Sequence, residues 1–126
     1  MILLLDSHVL LWWLADDRAL GPDAARSIAS PANDVLVSAA SIWEIEIKRA
    51  VGRLSRVPEG YVEAVEQSGF SSLPIISEDA VRAGRLPRHH ADPFDRMLIA
   101  QALRVDAVIV TRDRTFEAYD VPRLAA

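Results

Sequence analysis

Four acidic residues end or begin separate apolar segments: Asp6, Glu44, Asp95 and Asp113. Asp6 closes the run Ile2-Leu3-Leu4-Leu5. Asp113 follows Ala107-Val108-Ile109-Val110 with only Thr111 and Arg112 between. A short apolar run ending in a carboxylate reads as a buried parallel strand carrying an acid to its carboxyl end. Open α/β sheets place their ligand crevice there, where strand order reverses. Glu44 and Asp95 stand near the starts of helical segments that would lean over the same crevice. Carboxylates gathered in this way repel one another unless a hard cation neutralises them, and oxygen donors suit Mg²⁺ or Mn²⁺. The chemistry expected of such a cluster is metal-assisted hydrolysis of a phosphodiester.

The elements that must hold these acids alternate along the chain. A strand at Ile2–Leu5 feeds an apolar helix containing Val9, Leu10, Leu11, Trp12, Trp13 and Leu14, ended by Asp16-Asp17-Arg18. Pro22 opens a second helix running to about Ser30. Val35-Leu36-Val37 is a short strand, followed by a helix through Ile42, Trp43, Ile45 and Ile47 with Gly52 as its cap. A further helix spans about Glu59 to Gln67 and ends at Gly69. The third strand is expected at Leu73-Pro74-Ile75-Ile76, its proline marking an edge position. After a short helix from Glu78 to Ala83 comes the loop Pro87-Arg88-His89-His90-Ala91, then a helix from Asp92 to about Arg104. The fourth strand is Ala107–Val110, and a fifth is expected in the tail through Val121. This alternation predicts βαβ units, a mainly parallel sheet and a three-layer α/β sandwich, with residues 1–126 forming one domain.

Composition narrows the function classes. Apolar residues make up 51% of the 126, ordinary for a globular chain. There is no cysteine, which excludes disulfides, zinc–thiolate sites and thiol catalysis. The first residues lack a basic region, and Asp6 and His8 interrupt the apolar stretch, so no signal peptide is read there. No apolar run approaches the roughly 18 residues of a membrane span, and a cytoplasmic protein is expected. The formal charge of −4 has the wrong sign for holding nucleic acid by bulk electrostatics. The basic residues are nearly all arginine, with Lys48 the lone lysine; a guanidinium fork suits phosphate.

Each acid also has a purely structural explanation. Asp6 could cap the following helix. Ser7 could share that task or bind a metal-bound water. Glu44 lies four residues before Lys48, a surface-pair spacing, although its apolar neighbours favour enclosure and Glu46 suits the solvated face better. Asp92 as N-cap with Pro93 and Asp95 behind it is close to a capping box. Asp92 is assigned to the cap and Asp95 to the metal. Asp113 could cap a short helix over Arg114-Thr115-Phe116. The spacing of His8, His89 and His90 fits no zinc site, and they read as loop or surface residues. Trp12, Trp13 and Trp43 read as core or interface anchors.

Together, Leu3-Leu4-Leu5-Asp6-Ser7-His8, Ser41-Ile42-Trp43-Glu44-Ile45, the run Asp92 to Ala102 and Val110-Thr111-Arg112-Asp113 resemble the PIN domain. More narrowly they resemble VapC-type toxins of bacterial type II toxin–antitoxin pairs, over essentially the whole chain. The resemblance implies a five-stranded parallel sheet in order 3-2-1-4-5. It also implies an endoribonuclease dependent on Mg²⁺ or Mn²⁺, with Asp6, Glu44, Asp95 and Asp113 as catalytic and metal-binding acids. Ser7, Arg96, Arg112 and Arg114 are the expected substrate contacts. A cognate antitoxin and a homodimer are the implied protein partners. Three rivals remain: a haloacid-dehalogenase-like phosphatase, a nuclease of RNA maturation, and a silent binding module. The phosphatase would need an aspartate where His8 stands.

Overall fold

The apolar runs become the strands of one sheet. In the computed structural model, which describes residues 1–54 and 56–126, β1 (Ile2–Leu5) pairs in parallel with β2 (Asp34–Ser38) on one side and β4 (Val108–Thr111) on the other. The short strands β3 (Ser71–Leu73) and β5 (Arg123–Ala125) complete the edges, giving the all-parallel order β3-β2-β1-β4-β5. Leu3, Leu4 and Leu5 are each wholly buried, as a central parallel strand covered on both faces requires.

Alternation along the strands divides the core. Leu3, Leu5 and Val110 face α1 (Ser7–Leu14), α2 (Pro22–Ala29), α3 (Ala39–Ala50) and α4 (Tyr61–Gln67), packing with Val9, Leu10, Ile28, Ile45 and Val65. Leu4 and Ile109 face the opposite layer, packing with Leu98, Ile99 and Ala102 of α6 (Pro93–Val105) and with Phe116 of a 3₁₀ turn (Arg114–Ala118). Helix α5 (Ser77–Arg85) lies against α6. There Asp79, 1% exposed, pairs with Arg104 at 2.7 Å. The three-layer sandwich is as the alternation predicts.

Two strands differ from their expected places. β3 ends at Leu73, so Pro74, Ile75 and Ile76 fall in the connection to α5. Pro74 cannot donate to a ladder, and Ile75 and Ile76 are 39% and 40% exposed. The fifth strand begins beyond Val121, whose side chain is buried in the second core cluster. Gly52 at φ 76° and Gly69 at φ 81° end α3 and α4 in the left-handed region that glycine enters without penalty.

Because the order reverses between β1 and β4, the helices that follow them diverge and open a crevice at the carboxyl edge of the sheet. Gln101 ties the neighbouring layer to the sheet. Fully buried, it accepts a hydrogen bond from the Ser38 hydroxyl and donates to the carbonyl of Pro74.

Candidate metal centre

Asp6 leaves β1 directly into this crevice. Its backbone N–H continues the ladder to the Val110 carbonyl at 3.2 Å. One carboxylate oxygen caps α1 by accepting the Val9 N–H at 2.8 Å, and the other accepts the Thr111 hydroxyl. The capping role and the crevice position therefore coincide. Thr111 is fully buried, and its oxygen also accepts the Asp113 N–H at 3.0 Å. One hydroxyl thus fixes the two acids at the ends of adjacent central strands.

Glu44 enters from α3 and is 5% exposed. Its carboxylate accepts the Ser7 hydroxyl and pairs with the Lys48 ammonium at 2.9 Å. The four-residue spacing does form a pair, but on the cavity wall rather than on a solvated face. Asp95 enters from the first turn of α6. Asp92 caps that helix, accepting the N–H groups of Phe94 and Asp95 at 2.8 and 3.1 Å, which leaves the Asp95 side chain free to face the crevice. Asp113 caps the 3₁₀ turn through the Thr115 N–H at 2.8 Å.

All five carboxylates, those of Asp6, Glu44, Asp92, Asp95 and Asp113, line one cavity of about 340 Å³ together with Ser7, Lys48 and Arg112. The crowding has an electrostatic signature. Burial, then the neighbouring Asp92, Glu44 and Asp6, push the Asp95 carboxyl up to about 7 despite the opposing effect of His90. Burial likewise raises Asp6 above the ordinary carboxylate range, against the Thr111 and Val9 hydrogen bonds. At Asp113 partial burial is outweighed by hydrogen bonds from Thr115 and His90, which hold it low.

His90, read as a loop residue, belongs to this site. Its Nε2 lies 2.8 Å from Asp95 and 3.2 Å from Asp113, and ligand atoms of the three residues fall within 4.8 Å of one another. Nδ1 accepts the Asp92 N–H at 3.2 Å, so the neutral ring carries its proton on Nε2 and donates to the two acids. The ring packs edge-on against Phe116, and its backbone N–H donates to the Tyr119 hydroxyl.

The arginines separate. Arg96 is not available to phosphate. It is 9% exposed, and its guanidinium donates to the carbonyls of Ala83, Leu86, Pro87 and His90. Its place one residue after Asp95 turns it to another side of α6, where it holds the 87–91 loop. Arg114 is exposed, 3.8 Å from Glu117, and does not line the cavity. Arg112 does line it. Its guanidinium stacks 4.3 Å from the Trp12 ring centroid and donates to the carbonyls of Ala19 and Ala126. Trp13 packs on Phe70, whereas Trp43 lies 62% exposed against the edge of Phe94.

The donor set fits a hard divalent cation. The cavity presents carboxylate oxygens without sulfur, and Lys48 and Arg112 offset only part of the charge of its five acids. Residues 3–122 match the PIN domain family. A second relationship narrows this: the chain is 32% identical over 128 residues to ribonuclease VapC22 of Mycobacterium tuberculosis, covering 95% of this chain and 93% of that protein. The chain belongs to the PIN domain family, in its VapC branch. Solved structures agree on the PIN fold. VapBC2 from Rickettsia felis, bound to a promoter DNA fragment, superposes with a TM-score of 0.72 at 13% identity, over 99% of this chain and 98% of that one. VapBC-1 from nontypeable Haemophilus influenzae gives 0.66 at 22% identity, over 99% and 98%. Among the described residues of this PIN domain, no helix is long and apolar enough to cross a membrane.

Proposed function

We propose that this PIN domain is a Mg²⁺- or Mn²⁺-dependent endoribonuclease acting as the toxin of a VapBC-type pair. The observation that carries the reading is the convergence of five carboxylates in one crevice, with Asp95 pushed up to about 7 by burial and then by its acidic neighbours. The 32% identity to a ribonuclease supports the substrate class, and the VapBC titles of the structural relatives support a cognate antitoxin.

Asp6 and Asp95 are assigned to hold the cation, with Glu44 and Asp113 as further ligands or as acceptors orienting a water. A bound divalent cation acidifies its water and offsets charge on the phosphate oxygens. The chain's own groups prepare that site. Thr111 keeps Asp6 and Asp113 in register, and Ser7 and Lys48 fix the two oxygens of Glu44. His90 donates between Asp95 and Asp113 and holds them together. Arg112 lies where a phosphate entering the cavity would meet a positive charge. The exposed Trp43 beside Phe94 offers apolar surface for a second copy or for the antitoxin.

Incubating the purified, antitoxin-free chain with cellular RNA tests this reading. Discrete fragments are expected with Mg²⁺ or Mn²⁺, and none with EDTA or with Asp95→Asn. Intact RNA in every lane, from a folded chain that also fails to bind Mn²⁺, would remove the nuclease and favour a binding module.

A further inference from the structure

A second groove runs on from the carboxylate cavity. It encloses about 620 Å³ and shares two wall residues, His8 and Trp12, with that cavity. Its other walls carry Arg18, from the connection between α1 and α2, and Arg53 and Arg56, which follow α3. All three arginines are exposed, and among the described residues none takes part in an ion pair. Asp16 and Asp17 also line the groove, and the Asp17 carboxylate is occupied by the Ala19 N–H at 2.8 Å. The groove is therefore cationic on balance, although the chain as a whole carries −4.

That contrast matters for a polyanion. The overall field repels it, so its hold must come from local cations near the crevice. At the junction stands Trp12, an aromatic ring reinforced by the Arg112 guanidinium. Unpaired arginines beside an aromatic wall match how proteins grip single strands: phosphates meet the cations and bases stack on the ring. A duplex keeps its bases inside and could not use Trp12.

We propose that this groove is the track for single-stranded RNA flanking the cut. Trp12 stacks a base at the entrance, and Arg18, Arg53 and Arg56 receive the phosphates beyond it. The inference rests on the ribonuclease reading for the identity of the polyanion.

The test is binding rather than cleavage. Asp95→Asn protein in EDTA is titrated against a fluorescent single-stranded RNA roughly twelve nucleotides long over a range of salt. Adding Arg53→Gln and Arg56→Gln removes two contacts, each worth about 0.7 in the slope of log affinity against log salt. The slope should shrink by about 1.4, and affinity should fall about 25-fold at roughly 0.1 M salt. Trp12→Leu should cost about tenfold with the slope unchanged. Trp12 packs partly against the core, so circular dichroism must show that variant folded; the exposed arginine pair keeps the test decisive if it is not. Unchanged affinity and slope in the arginine variant overturn the proposal. So does polyglutamate binding that depends on the arginines while Trp12→Leu leaves both ligands unaffected, which marks an acidic-peptide site. Because no metal or cleavage enters, failure of the nuclease reading would show separately, as intact RNA in the cleavage assay.

Discussion

At the scale of single residues, the site is built from side chains that each do two jobs. Asp6 caps a helix and presents an acid; Thr111 closes a strand and links the Asp6 carboxylate to the Asp113 backbone N–H. Asp95 carries the clearest consequence. Its folded pKa lies at about 7 against an ordinary 3.8. A carboxyl raised by folding binds its proton more tightly in the native state, so metal-free stability falls as pH climbs from about 4 to about 7. Asp95→Asn removes that loss. In EDTA at pH 8 the variant should melt above the parent, and near pH 4 the two should coincide in thermal scans. A variant less stable than the parent at both pH values would mean that the carboxylate is chiefly structural. The acids were legible because strand-ending carboxylates leave a pattern in sequence. His90 and Thr111 left none. A histidine in a polar loop and a threonine after a strand look alike whether they face solvent or a cavity. What encloses His90 comes from Tyr119 and Phe116, far along the chain.

At the scale of elements, the loop between α5 and α6 decides whether His90 stays in place. Its scaffold is Arg96, whose guanidinium satisfies four carbonyls of the end of α5 and the loop. Lysine carries the charge but not the fork. Arg96→Lys should cost about 2 kcal/mol in urea unfolding, since charged hydrogen bonds are lost and carbonyls are stranded in a largely buried place. Amide exchange over residues 87–91 should quicken by more than that global loss explains. Reading Arg96 as a phosphate contact followed from its position beside Asp95. Adjacent helical residues point about a quarter-turn or more apart, and here the difference separates cavity from scaffold. The misplaced β3 has a related cause. Leu73 to Ile76 is an apolar run, yet apolar character alone does not distinguish a buried strand from an exposed connection.

At the scale of the whole molecule, the sandwich was legible because strands and helices alternate with little between them, and the crevice followed from strand order. On the proposed reading, the same architecture would couple a bound cation to the fold. With free Mn²⁺ at about 100 times its dissociation constant, stability should rise by about 2.7 kcal/mol, or about 10 °C in melting temperature for a chain of this size. Asp95→Asn should largely erase that rise. A parent protein whose melting is indifferent to Mn²⁺ would place the cation elsewhere or nowhere.

The pairing of β1 with β4 also sets when the site can exist. Asp6 is held by Val110 and Thr111, more than a hundred positions later in the chain. During synthesis the growing polypeptide already contains Asp6 and Glu44, yet it has neither the second central strand nor His90, Asp95 or Asp113. Long-range parallel pairing of this kind forms late and slowly. A ribosome making this protein therefore holds an unassembled crevice until the strand at Val108–Thr111 has been added, and the acids of the first half of the chain wait for those of the second.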